Sequence, residues 1–262
     1  MLNIVITAGG TAEDIDGIRK ITNISTGTLG MYILKNTLDY LEKNVVDNYK
    51  IHYILHSSSK KFEFTPSQEK NIQYIYISDV ESVYNVVDKI TKNIDVDLFI
   101  HSMAISDFTY NYSVSVKNLV SELYNYCKSA DANKQGIEEI LLSPKLKNDS
   151  LKKISSADNL IIGLTTTPKV IKLVKKNNPK TFLVGFKLLG NVTDEELIQA
   201  ANKQVENAKC DLVLANRISN ISVKDHKGLL IKDSKVLDSA TGKDNVAKMI
   251  VETSFSLMNK NK

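Results

Sequence analysis

Two glycines stand directly after the first apolar run, in Thr7-Ala8-Gly9-Gly10-Thr11, where an open α/β sheet places its ligand crevice. Without side chains there, Gly9 and Gly10 let the backbone approach a ligand closely. Residues 19–30 follow, reading Arg19-Lys20-Ile21-Thr22-Asn23-Ile24-Ser25-Thr26-Gly27-Thr28-Leu29-Gly30 and leading into a helix. Hydroxyls, small residues and free backbone amides at a helix start suit a phosphate or carboxylate. A capped helix with no ligand would carry the same residues. A dinucleotide fingerprint is absent, since the next glycine after Gly10 is Gly17. The second strand is followed by Leu55-His56-Ser57-Ser58-Ser59, not by the acidic residue that would hold a ribose. A hydride-transferring oxidoreductase is therefore disfavoured. Cys127 and Cys210 are too far apart for a zinc ribbon or a redox pair. His52 and His56 lie in a strand-like segment and suggest packing or a surface pair, not a metal site.

The elements that must position these residues alternate strand and helix, the pattern of a parallel sheet wound by crossover helices. The expected fold is three-layer, Rossmann-like α/β. Strands are expected at 2–7, 51–55, 72–77, 98–102, 160–164, 181–186 and 212–215, most of them continuous apolar runs suited to burial on both faces. Helix starts are expected at Ser78 with Glu81 and at Thr193 with Glu196, each spaced as a capping box. Pro168 fits a first helical turn. Leu34, Leu38 and Leu41 share one face of the first helix, and a last helix begins near Asp244. Residues 109–150 break the rhythm, with a polar stretch at Tyr110-Asn111-Tyr112, a helix near 119–127 and a second polar stretch at 129–135. A connection of that length reads as an inserted lid or mobile segment.

With 42% hydrophobic and 24% charged residues over 262, the chain can bury a core without disulfide or metal, and one globular domain is expected. The apolar runs are strand-sized, far short of a membrane span, and no basic, apolar and small-residue leader opens the chain. A cytoplasmic location is the expectation. The net charge of +4 is scattered, which is weak as a nucleic-acid signal.

The whole run from Ile6 to Gly27 resembles, in residue types and spacing, the opening signature of the monofunctional bacterial phosphopantothenoylcysteine synthetases. Further landmarks come in the same order. Met103-Ala104-Ile105-Ser106-Asp107-Phe108 is similar to the family's Ala-Val-Ser-Asp-Tyr element, with Met103 departing from the frequent alanine. Lys152-Lys153-Ile154-Ser155-Ser156 resembles its lysine motif, whereas Lys145 and Lys147 read as a solvated charge run. Thr167-Pro168-Lys169-Val170-Ile171 resembles the nucleotide-cradling turn, and Gly185-Phe186-Lys187-Leu188 the element beside the base. Lys203 matches a triphosphate contact, its companion one turn on being Asn207, and Ala215-Asn216 matches a strand end. The resemblance covers most of 1–110 and 150–217 and fades beyond Arg217.

The resemblance implies an acid–amino-acid ligase. The carboxylate of 4'-phosphopantothenate is activated by CTP, or ATP, with magnesium, and the amine of L-cysteine then attacks the acyl-nucleotide. It implies Asn23 and Lys153 as catalytic residues. Gly9, Gly10, Ala104, Asp107, Lys153, Pro168, Lys169, Val170, Ile171, Phe186 and Lys203 would bind the nucleotide, and Arg19, Asn23, Ser25, Gly27 and Gly30 the phosphopantothenate. No metal ligand is assigned, and neither flavin nor zinc is expected. A homodimer and a separate decarboxylase partner are implied, with no nucleic acid or membrane partner. The pathway's flavin-dependent decarboxylase is itself disfavoured, because the chain has no Trp and no Pro-x-Met-Asn motif. A nucleotide-binding sensor that kept the pocket is a further alternative.

Overall fold

A computed structural model describes residues 1–147, 159–190, 192–218 and 226–260. Contacts divide the chain into two compact units: Met1–Thr11, Ile24–Ile105 and Lys169–Lys262 form the first, and Ala12–Asn23 with Ser106–Pro168 the second.

The first unit is built on β1 (Leu2–Ala8), β4 (Tyr49–His56), β5 (Ile72–Ile77), β6 (Leu98–His101), β9 (Phe182–Leu189), β10 (Leu212–Arg217), β11 (Lys227–Lys232) and β12 (Lys235–Thr241). They form one sheet in the order β12-β11-β10-β9-β6-β1-β4-β5. Pairing is parallel from β5 to β10 and antiparallel for β10–β11 and β11–β12. Because successive strand residues face opposite sides, the apolar run of β1 feeds two cores. Ile4, Ile6 and Ala8 pack with Ile33, Leu34, Leu38 and Leu41 of α1 (Thr28–Lys43) and with Val246 and Ile250 of α8 (Lys243–Lys260). Val5 packs on the other side with Val83 and Val87 of α3 (Val80–Asn93), Leu173 and Val174 of α6 (Ile171–Asn177), and Leu197 and Ala201 of α7 (Asp194–Ala208). Helices on both faces explain why these strands read as unbroken apolar runs. The β11–β12 hairpin turns through Asp233 and Ser234, both at positive φ, which matches the twist of the flanking strands. Its outer strand exposes Lys235, Val236, Leu237 and Asp238, and the charges among them discourage further pairing at this edge.

The second unit holds two hairpins, β2 (Ala12–Asp14) with β3 (Lys20–Thr22), and β7 (Phe108–Ser115) with β8 (Leu160–Thr166), together with α4 (Val116–Cys127) and α5 (Lys134–Leu142). Here the sequence expectation is corrected. The strand expected in the parallel sheet at 160–164 pairs antiparallel with β7, and Ile162 and Leu164 are exposed. The supposedly polar stretch at Tyr110–Tyr112 is part of β7, whose Thr, Tyr and Val residues favour extended backbone. A register shift at Asn111 and the bare Gly163 accommodate the Tyr112 ring, since a Cβ on Gly163 would lie 2.2 Å from it. Three further details differ. Helix α3 is capped by Asp79 with Ser82, one residue beyond the expected pair, because the Asp79 carboxylate accepts from the Ser82 amide at 2.8 Å. Helix α6 begins at Ile171, so Pro168 precedes it and is not in its first turn. Helix α4 starts at Val116, capped by Ser115. The capping box of Thr193 and Glu196 stands as expected. No helix among the described residues is long and apolar enough to cross a membrane.

Candidate functional site

In the first unit the chain runs outward from β1 in both directions, to β4 and β5 on one side and to β6, β9 and β10 on the other. The strand order reverses between β1 and β6, and the crevice outside their C-terminal ends is where an open α/β sheet binds its ligand. Gly9 and Gly10 leave β1 there, and Ala104 follows β6. Gly10 and Ala104 form a parallel bridge, with the Ala104 amide donating to the Gly9 carbonyl at 2.9 Å and the Thr11 amide to the Ala104 carbonyl at 3.1 Å. Gly9 sits at φ +89°, a conformation that side chains resist.

Below this bridge a buried network locks the two strand ends. The Thr7 hydroxyl lies 3.0 Å from His101 Nδ1 and accepts the Met103 amide at 3.1 Å, while the Ser102 hydroxyl donates to the Thr7 carbonyl. Burial pushes the His101 imidazole down to about 4. His226, lowered to about 4 by burial and then by the charge of Lys243, behaves alike. A histidine whose folded pKa lies below its unfolded value near 6.5 holds its full stabilisation above that value and loses it as pH falls toward 4. His101 is thus expected to contribute about 3 kcal/mol that disappears across this window. The thermal midpoint should fall between pH 6.5 and 4, and His101→Gln, which can still bond Thr7, should make that fall shallower while leaving the share that His226 contributes. Superimposable profiles would remove His101 from this role.

The N-terminus of α1 faces the same loops. Its cap, Gly27, has φ +69°, no side chain bonds its first amides and no acidic residue occupies its first turn. The amide of Lys60 donates to the Thr26 carbonyl at 3.0 Å, tying the loop after β4 to this cap. Gly30 packs so closely on β1 that a Cβ there would lie 2.5 Å from Ala8 Cβ. Ser25 is half-buried. Across the sheet, Val170 is buried in the core ahead of α6 and Lys169 is exposed. Phe186 is half-buried against the α1-side core. Lys203 is exposed on α7, whereas its neighbour Gln204 lies over Gly185, its amide nitrogen 2.8 Å from where a Cβ would stand.

Arg19, Asn23, Asp107 and Pro168 belong to the second unit. The Arg19 guanidinium pairs with the buried Asp16 carboxylate at 3.0 Å, and Asp16 also accepts the Arg19 amide at 2.9 Å, closing the β2–β3 turn at Gly17. Asn23 is exposed. Asp107 accepts the Thr167 amide through its carbonyl at 3.0 Å, and the Thr167 hydroxyl donates to the Ser106 carbonyl at 2.6 Å. Lys153 lies outside the described residues. Among the described residues no group of three or more His, Cys, Asp or Glu side chains could hold a metal. Sequence reasoning passed over Thr7, His101, Ser59 and Lys60. For the last two a signal was present: the loop after β4 opens at the same edge as Gly9.

The description "DNA/pantothenate metabolism flavoprotein C-terminal domain" matches residues 1–43 and 144–257, more than half of the chain. The chain belongs to this family. It is similar to the coenzyme A biosynthesis bifunctional protein CoaBC of Thermococcus kodakarensis, at 28% identity over 228 residues that cover 87% of this chain and 44% of that protein. The chain thus spans less than half the length of the curated relatives it matches. The crystal structure of the DNA/pantothenate metabolism flavoprotein from Streptococcus pneumoniae has a TM-score of 0.78 at 28% identity, covering 98% of this chain and all of that one. A Cab2 mutant in complex with phosphopantothenate-cysteine has a TM-score of 0.66 at 16% identity over 99% of this chain and 87% of that chain, a likeness of fold.

Proposed function

We propose that this family member is a phosphopantothenate–cysteine ligase. The observation that carries the reading is the family match over residues 1–43, the stretch that holds Gly9, Gly10, Asn23 and the uncapped N-terminus of α1. A carboxylate does not acylate an amine in water, because the two exchange a proton instead. It must first be activated. The carboxylate oxygen of 4'-phosphopantothenate attacks the nucleotide α-phosphorus, the bond to the bridging oxygen breaks, and pyrophosphate leaves. The cysteine amine then attacks the acyl carbon of the mixed anhydride, releasing the nucleoside monophosphate and a proton.

Positioning and charge stabilisation are the protein's tasks in such displacements. The bare amides of Gly9, Gly10 and the first turn of α1 receive phosphate oxygens. Lys153 neutralises charge building at the α-phosphate, and the carboxamide of Asn23 holds the acyl oxygen for the amine. CTP is the preferred nucleotide. Magnesium enters with it as part of the substrate, carried mainly by phosphate oxygens, since this ion seldom uses an all-protein cage. The protein works as a cytoplasmic homodimer and passes its acyl-cysteine to a separate decarboxylase.

Steady-state pyrophosphate release should require both phosphopantothenate and cysteine, and CTP should raise the melting temperature more than ATP when each is added with phosphopantothenate and magnesium. No cysteine-dependent turnover with either nucleotide would refute the ligase reading, and a larger shift with ATP would reverse the nucleotide assignment.

A further inference from the structure

The eight-stranded sheet of the first unit ends in two edges that are finished differently. The β12 edge carries the exposed charges Lys235 and Asp238, and its ladder with β11 is interrupted by a register shift between Leu230 and Ile231. Charges and bulges of this kind keep an edge strand from pairing with another chain. At the opposite end, β5 pairs with β4 alone among the described residues. Its residues, Ile72-Gln73-Tyr74-Ile75-Tyr76-Ile77, include no charge, no proline and no glycine. That is the composition of a strand able to take on another.

The Ile51 amide donates to the Asn71 carbonyl at 2.9 Å, and Ile51 is in register with Ile72. Backbone groups alternate sides along a strand, so those of Gln73, Ile75 and Ile77 face β4 and those of Ile72, Tyr74 and Tyr76 face outward. No hydrogen bond among the described residues engages these outward groups. Tyr74 and Tyr76, two residues apart, share one face of the strand, and that face has opposite charges at its two ends. The Lys61 ammonium donates to the Tyr76 hydroxyl and stands 4.6 Å from that ring's centroid, against 5.6 Å for Tyr74. The Glu69 carboxylate lies at the other end, accepting the Tyr74 hydroxyl at 3.2 Å.

We propose that the β5 edge pairs antiparallel with the β5 edge of a second copy of this chain, about a twofold axis at Ile75. Tyr74 and Tyr76 then stand opposite Tyr76 and Tyr74 of the second copy, each pair exchanging two backbone hydrogen bonds. Reversal of the strand brings the Glu69 end of one copy beside the Lys61 end of the other, so opposite charges meet twice across the axis. This charge complementarity is what selects a second copy as the occupant, and a twofold contact closes on itself as a pair. The interface gives the homodimer of the ligase reading a surface and uses none of the residues which that reading assigns to the site.

Sedimentation equilibrium of the full chain tests this with Lys61→Glu, Glu69→Lys and Tyr76→Pro, each accompanied by its thermal midpoint. The proline removes an outward amide that β4 does not use, the position where an edge strand tolerates it. At a concentration where the parent is associated, it should show twice the mass of each variant, and the dissociation constant should rise at least tenfold in both charge variants, where like charges now meet. An equimolar mixture of Lys61→Glu with Glu69→Lys should regain the parent's mass, because both contacts again join opposite charges. No rearrangement within one copy produces that recovery. If Tyr76→Pro loses its fold, the charge variants and their mixture decide. A common mass for parent, variants and mixture would overturn the proposal: a common dimer moves the interface elsewhere and leaves the homodimer standing, whereas a common monomer removes the homodimer as well. An open-ended series of larger species also overturns it, since a twofold pair does not grow. The ligase reading is judged apart from all of these, by cysteine-dependent pyrophosphate release.

Discussion

Asn23→Asp is expected to slow formation of the cysteine adduct on the order of a hundredfold, the typical effect of losing one well-placed donor to a developing oxyanion. The substitution keeps the size of the side chain and replaces a neutral amide donor by a carboxylate that can only accept. That carboxylate has no proton to donate to the acyl oxygen as the amine attacks, so the second half-reaction suffers most. Quenched-flow assays with labelled CTP should show acyl-nucleotide still forming and then accumulating while product lags. Asn23 is exposed and supports no packing, so the thermal midpoint should be unchanged. Lys153→Gln should act earlier and abolish pyrophosphate release. If Asn23→Asp turns over at the parent rate, the amide has no part in the chemistry.

Gly30→Val should destabilise the first unit by about 3 kcal/mol, at the upper end of what overpacking commonly costs. Gly30 has no left-handed backbone to explain it. Its constraint is the approach of α1 to β1, where the added Cβ would meet Ala8 Cβ at 2.5 Å, the Ser102 hydroxyl at 2.9 Å and Ala8 Cα at 3.1 Å. Neither Ala8 Cα nor Cβ can swing aside, so α1 must lift from the sheet. Its first-turn amides would then leave the crevice beside Gly9 and Gly10. A lower thermal midpoint and weaker CTP binding should appear together. A variant with the parent's midpoint would show that the helix has room to move, and the packing argument would fail.

Much of this was legible in residue order. Because both faces of a parallel sheet are covered, β1, β6, β9 and β10 declare themselves as unbroken apolar runs, and the bare turn at Gly9 and Gly10 could be placed on the crevice from its position after β1. The antiparallel elements were less legible. β7 mixes Tyr, Asn and Ser on a half-exposed hairpin, which removes the apolar signal, and the β11–β12 turn uses Asp233 and Ser234 in place of the glycine that usually marks such a turn.

By itself the sequence determined that most of its apolar runs form a parallel sheet covered on both faces, that a helix follows the glycine turn and which family signature the opening residues carry, since these depend on periodicity and on residues adjacent along the chain. Only the tertiary structure decided that residues 160–166 pair with β7 outside the main sheet and that His101 locks Thr7 beneath the crevice. Those outcomes rest on which strands become neighbours in space, and that leaves no local pattern in the chain from which it could be read.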